Sequence, residues 1–473
     1  MTFAKAGSLQ SALNGKSQIA NEFLIKAQLW ETFYEQSNRF EQTCEYFAES
    51  LRALKTSENL FAYAVFLQNH NQFDQANLHY TEVLEICRNL GDLTNVARIL
   101  NNLAVLHKNK NEMAIAEEEY QEALQIYQEL AVENPRSFLP DVATTLNNLA
   151  VLHDIKNEMA IAEQEYQEAL QIRRELAVEN SRSFLPDVAQ TLNNLAILHD
   201  IKNERLIAEQ EFQEALQIYR ELAVENPRSF LPNVATTLNN LAVLHDIKNE
   251  MAIAEQEYQE ALQIRRELAV ENPRSFLPDM AMTLNNLANW HADKNEIVIA
   301  EQEYQEALQI YRELAVENPR SFLQYVAGTL HNLAVLHWNK NERLIAEQEY
   351  QEALQIRREL AVENSRSFLP DVAMTLNNLA NLHADKNEIV IAEQEYQEAL
   401  QIRKELAIEN PRFFLPDVAM TLLSLSIFYS EDQPETSIAL VEEALEIIQQ
   451  FPESPSVQQY AEIARVVLQA ISE

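Results

Sequence analysis

Glycine is nearly missing from this chain: there are four in 473 residues, Gly7, Gly15, Gly91 and Gly328. Loops that cradle phosphate need clustered glycines so that backbone amides can approach the anion, and no such cluster exists here. Cysteine is scarcer still, with only Cys44 and Cys87. Both fall on predicted helices and read as packing thiols in a reducing compartment rather than as a disulfide pair. No run of about 18 apolar residues is apparent, so no membrane span is expected. Residues 1 to 20 are polar and small, without the apolar stretch of a secretory signal. The cytoplasm is the expected location.

Positive charge is also short. Thirty-six Lys and Arg face 73 Asp and Glu, a net charge of −37 with pI near 4.6. Nucleic-acid affinity comes from lysine and arginine on phosphate, so this surface repels a strand, and it repels anionic lipid likewise. A neutral or basic protein partner suits it. No Ser/His/acid set and no Cys-x-x-Cys appears, and paired carboxylates such as Glu163 and Glu165 read as a solvated helix face. No catalytic residue, metal site or cofactor is expected.

What is present in excess is repetition. The text TLNNLAVLHDIKNEMAIAEQEYQEALQIRRELAVENPRSFLPDVA, clearest from Thr237 to Ala281, returns every 46 residues. Its register position is held by Asn101, Asn147, Asn193, Asn239, Asn285, His331 and Asn377, with Leu423 in an eighth, degraded copy. A fixed period of this length is the signature of a solenoid. Within one copy, Pro140 and Asp141 are expected to open a helix, since proline has no amide hydrogen to lose there. Leu146, Leu149, Ala150 and His153 then share one helical face. Asn157 ends that helix, being a residue that tolerates the left-handed conformation. A second helix follows with Met159, Ala162, Tyr166, Ala169, Ile172 and Leu176 inward, and it stops near Asn180. Each repeat is a helix hairpin, joined to the next by the connector NPRSFLP.

The spacing of Leu146, Leu149-Ala150, His153, Ala162, Tyr166 and Ala169-Leu170 resembles the tetratricopeptide repeat, whose usual length is about 34 residues. The longer unit opening with LPDVATTLNNLA is similar to the repeats of kinesin light chains and their bacterial relatives, over roughly residues 27 to 450. The fold this implies is all-α, an α–α superhelix of about ten hairpins closed by a capping helix. The chain then divides into a polar segment (1–20), two short units (21–99), eight units of 46-residue period (100–452) and a C-terminal cap (453–473).

Two further patterns stand out. Seven histidines, from His107 to His383, keep one register; helices of neighbouring repeats stack about 8–10 Å apart, too far for shared ligation at about 2 Å per bond. They read as packing residues. A second period of 92 residues shows at Tyr127, Arg173, Tyr219, Arg265, Tyr311 and Arg357, broken at Arg403. Duplication of two-repeat blocks accounts for it most simply; cation–π pairing of Arg with a neighbouring Tyr is the physical alternative.

The family resemblance implies that the first helix of each repeat lines a concave groove, and that groove asparagines contact peptide. On this chain those positions are Asn101, Asn102, Asn147, Asn148, Asn193, Asn194, Asn239, Asn240, Asn285, Asn286, Asn332, Asn377 and Asn378, beside Thr144, Val151, Asp154 and Ile155. An asparagine amide offers two donors and an acceptor, enough for a peptide's backbone. Asn289, Asn381 and Trp338 stand where copies differ, and Trp338 reads either as an exposed anchor or as drift in a redundant array. The lysine of a carboxylate clamp is replaced by asparagine, which argues against a C-terminal carboxylate as ligand. The expected function is a non-catalytic scaffold binding a protein or extended peptide. A regulatory or sensing subunit of a bacterial effector or signalling system is the alternative, and an enzyme a remote third.

Overall fold

A computed structural model describes residues 2–33, 38–451 and 455–472. Among them every regular element is an α-helix. They fall into two compact units, residues 1–204 and 205–473. Unit 1 contains α1 (Thr2–Trp30), α2 (Arg39–Ala53), α3 (Ser57–Asn69), α4 (Phe73–Leu90), α5 (Leu93–Asn109), α6 (Met113–Glu133), α7 (Pro135–Ile155), α8 (Met159–Glu179) and α9 (Ser181–Ile201). Unit 2 begins with α10 (Arg205–Glu225) and continues through α11 (Pro227–Ile247), α12 (Met251–Glu271), α13 (Pro273–Asp293) and α14 (Ile297–Glu317). It ends with α15 (Pro319–Asn339), α16 (Arg343–Glu363), α17 (Ser365–Asp385), α18 (Ile389–Glu409), α19 (Pro411–Tyr429), α20 (Pro434–Ile448) and α21 (Pro455–Ser472).

Within each unit an odd-numbered helix packs on the even-numbered one that follows, as in α7 with α8 and α11 with α12, and each hairpin stacks on the next. This is the all-α hairpin array the repeat implies. Helix α21 lies on α19 and α20. Of the polar stretch 1–20, residues 2–20 form the leading part of one continuous helix, α1. Met1, residues 452–454 and Glu473, which belong to the expected terminal segments, lie outside the described residues.

Asparagine does the work that glycine does elsewhere. Asn157 sits at φ 60°, and its equivalents from Asn71 to Asn387 lie between 57° and 64°. The Asn157 N–H donates to the Asp154 carbonyl and the Glu158 N–H to the His153 carbonyl, both at 2.8 Å. That is the double bond of a Schellman turn, and it satisfies carbonyls the helix end leaves open. A chain with so few glycines closes its helices with the other residue that tolerates this conformation.

The helix start differs from expectation. α7 begins at Pro135, so most of NPRSFLP is helical and Pro140 lies inside the helix. Pro135 occupies the first helical position, where its missing N–H costs nothing. Pro140 removes one bond to the Arg136 carbonyl, but Pro135, Arg136 and Ser137 are exposed, so water reaches the freed oxygen. Asn134 then both ends α6 and opens α7.

One helix comes near an apolar run, though Arg412 and Asp417 interrupt it. α19 is long and apolar enough to cross a membrane by length and composition, with mean hydropathy 1.3. It instead packs against α18, α20 and α21, with Val418, Leu422, Leu423 and Leu425 buried.

Candidate functional site

In α7 the core takes Leu146, Leu149, Ala150, Leu152 and His153. The residues one position round the helix, Asn148, Val151 and Asp154, are left partly exposed. The same face recurs on α9, α11, α13, α15 and α17, and it carries the asparagines.

The two asparagines of each pair are not equivalent, and the 92-residue period explains why. Arg173 is buried and donates through Nη1 to the Asp187 carbonyl (3.0 Å) and to the Thr191 hydroxyl. That hydroxyl donates to the Asp187 carbonyl at 3.1 Å and lies 3.4 Å from Oδ1 of Asn147, and Nδ2 of Asn194 donates to the same Oδ1 at 3.3 Å. Asn147 therefore becomes a buried acceptor. In unit 2 Arg265 donates to Thr283 and the Asp279 carbonyl, Thr283 donates to that carbonyl at 3.3 Å, and Asn286 donates to buried Asn239 at 3.2 Å. Where tyrosine replaces arginine the first asparagine is the donor instead. Beside Tyr127, the Thr145 hydroxyl donates to the Asp141 carbonyl and accepts from Nδ2 of Asn101 at 2.8 Å.

The consequence falls on the second asparagine of every other pair. Asn194, Asn286 and Asn378 are tied to the preceding repeat, Asn378 through Nε2 of His331 at 3.1 Å. Asn148 and Asn240 are partly exposed and, among the described residues, make no side-chain hydrogen bond. Asn102 bonds the Arg98 carbonyl one turn back. Asn193 and Asn285 are partly exposed, and Asn377 is buried. Asn289 accepts from the Tyr304 hydroxyl and from Asn332, and Asn381 accepts from the Tyr396 hydroxyl. Trp338 is half-buried rather than exposed, and its indole N–H donates to Asp385 of the next repeat at 3.0 Å.

His331 is the substituted rung. Its ring is buried, edge-on to Tyr350, with Nη1 of Arg357 3.3 Å from Nδ1. Burial, then the Arg357 charge, pushes its pKa down to about 3, so it is neutral.

The seven histidines in register have a role that packing alone does not describe. His153 is buried, with Nδ1 2.7 Å from Glu165 in its own hairpin and Nε2 3.4 Å from Glu117 in the preceding one. Lys156 joins Glu117 (2.6 Å) to Glu158 (2.9 Å). The bond to Glu165 is the main cause of a pKa raised above the usual histidine value. Glu165 is thus not on a solvated face, and Glu163 pairs with Lys202 at 2.6 Å. Nothing in the sequence separates these two glutamates except helical phase. The set Glu347, His383 and Glu388 brings three donor atoms within 4.8 Å of one another, a spacing that suits a metal ion. Its cation is already supplied: Nζ of Lys386 lies 2.7 Å from Glu347 and 3.0 Å from Glu388, and Nδ1 of His383 is held by Glu395.

At the N-terminal side of unit 1, a cavity of 500 Å³ opens among α1, α3 and α5. Phe61, Val65, Ile99, Glu31 and Glu58 are among the residues that line it, and the Arg98 guanidinium lies 4.4 Å from the Phe61 ring centre. The short repeats gave no sequence signal for it.

No curated protein matches the chain in sequence. Among solved structures it is similar to BtubC (BKLC) from P. vanneervenii, with 24% identity, 52% of this chain and 90% of that one covered, and a TM-score of 0.43. It is also similar to the apo form of RapI (14% identity, 64% and 98% covered, TM-score 0.46). A Rap protein complexed with competence and sporulation factor gives 15% identity, 72% and 86% covered, and a TM-score of 0.48. The Tetratricopeptide repeat family matches at residues 96–135, 142–182, 188–227, 234–274, 280–319, 326–366 and 372–407, together more than half of the chain. With its hairpins, its turns and these seven matches in one register, the chain belongs to the tetratricopeptide repeat family.

Proposed function

We propose that this protein is a non-catalytic scaffold whose first-helix groove holds an extended segment of a neutral or basic partner protein. Repeats of this family serve as interaction scaffolds, and the finer reading rests on one observation. Asn148 and Asn240 present amides that no side chain among the described residues uses. An amide with free donors and a free acceptor matches the backbone of an extended peptide. Asp154 and Asp246 stand on the same face, half-buried, which favours a partner carrying positive charge. The net charge of −37 acts in the same direction at longer range.

Site-specific photo-crosslinking tests the placement. A photoreactive amino acid at Asn240 should capture the partner, while one at Glu260 on the second-helix side should not. Capture from Glu260 alone would move binding to the acidic outer helices.

A further inference from the structure

Gly328 sits in the middle of α15, where glycine is out of place. Among the described residues the glycine with a left-handed backbone is Gly91, so no turn requires one at 328. In a helix interior glycine is less favourable than alanine, because it loses more backbone freedom on folding. Close approach of a neighbour would explain it. Yet a Cβ built on Gly328 meets no atom of the described residues within 4 Å. The space beside it is open.

The repeat register shows what borders that space. Thr144, Gln190 and Thr236 hold this place in the earlier copies, and Met282 and Met374 hold it on α13 and α17. Those are the first helices on either side of α15. Asn332 donates to Asn289 across one junction, and Trp338 donates to Asp385 across the other. Met282 is 36% exposed, and Met374 is partly so. One turn before Gly328, Tyr325 stands where the neighbouring copies carry Asp279 and Asp371. It is 44% exposed and stacks on buried Tyr311, with ring centres 5.1 Å apart, which holds it in place. At α15, then, a carboxylate and a polar side chain are missing from the face that carries Asn240 two repeats earlier in the same unit.

We infer that Gly328 forms a notch that seats one large apolar side chain of the partner's extended segment, between Met282 and Met374 and beside Tyr325. The inference rests on the first-helix reading above and adds the chemistry of one partner residue. Methionine is unbranched and polarizable, so the two flanking side chains adapt to such a guest. With tyrosine in place of aspartate, an apolar guest desolvates no carboxylate at this rung. The glycine lowers the stability of α15 and leaves room for the partner, the exchange expected where stability is given up for function.

The probe is a displayed library of short random peptides, selected against the full-length protein. Enriched peptides should share one position confined to Leu, Ile, Met or Phe, and alanine at that position should weaken binding about 10-fold or more. Gly328→Met fills the notch with the side chain its neighbours carry. It should weaken the same peptides by a similar factor while raising the urea midpoint, since glycine leaves the helix. A residue with a merely structural role would not move the two readouts in opposite directions. Asn240→Ala separates this inference from the reading it rests on. Peptides that weaken in Asn240→Ala but have no apolar position, or bind Gly328→Met as they bind wild type, overturn the notch alone. Peptides indifferent to both variants, or a selection that enriches none, overturn the notch together with the first-helix site. Peptides that weaken only in Gly328→Met support the notch and remove Asn240 from the contact. Circular dichroism checks the helices; should Gly328→Met lose them, Gly328→Thr, with the side chain of Thr144 and Thr236, replaces it.

Discussion

Asn286 donates its amide hydrogen to Oδ1 of Asn239, 3.2 Å away in the preceding repeat. The bond joins two hairpins rather than facing outward, and Asn239 is buried. Removing the donor leaves a buried acceptor short of a partner, which costs about 1–3 kcal/mol. Asn286→Ala should therefore lower the urea midpoint measurably. Asn148→Ala, at a site with no such bond, should stay within about 0.5 kcal/mol of wild type.

His331 gives stability a dependence on acid. Its folded pKa of about 3 lies below the unfolded value of about 6.5. The unfolded chain therefore binds the proton first, and stability present above pH 6.5 is lost as pH falls toward 3. Arg357 faces the ring directly, with Tyr350 and Asn378 completing its surroundings. Between pH 7 and 5 the loss should be about 2 kcal/mol, from 1.36 kcal/mol per pKa unit. His331→Asn restores the residue found in the other copies and should remove that loss, read as the difference in urea midpoints at the two pH values.

His153 has the opposite sign. Its pKa is raised, chiefly by the bond to Glu165, so its contribution is complete below pH 6.5 and is lost as pH rises through the folded value. Glu165→Gln keeps the shape and removes the charge. The His153 ring should then titrate lower by NMR, and the variant should lose less stability than wild type from pH 6 to 8. An unchanged titration would show that Glu165 does not hold the proton.

Repeat independence predicts the result of a deletion. Because each hairpin contacts its neighbours, removing residues 285–330, one 46-residue period, should leave a folded helical protein. Ellipticity per residue should hold, and the denaturant slope should fall by about a tenth with the surface removed. Collapse of the helical signal would contradict a nearest-neighbour array.

Much of this was legible in the sequence because it depends on spacing. The hairpin, its period, the left-handed Asn157 and the burial of Leu146, Leu149 and Tyr166 all follow from repeated local text. The helix start at Pro135 was not, since two prolines compete for the first helical position and only solvent exposure decides between them. The direction of each asparagine was hidden as well. Arg173 and Thr191 are 18 residues apart and Asn147 and Thr191 44, so the bond chain that orients Asn147 exists only after hairpins stack. The alternation of Tyr and Arg was visible as a pattern, and its effect on the amides needed the fold.

The central claim is that the alternation leaves Asn148 and Asn240 free to grip a partner while tying Asn286 into the array. The direct measurement is a titration of the crosslinked partner against wild type, Asn148→Ala with Asn240→Ala, and Asn286→Ala, with unfolding measured on the same samples. Each lost neutral hydrogen bond is worth about 0.5–1.5 kcal/mol net, so the double variant should bind about 5- to 150-fold more weakly with its urea midpoint unchanged. Wild-type affinity in the double variant, or a loss of affinity matched by an equal loss of stability, would contradict the account.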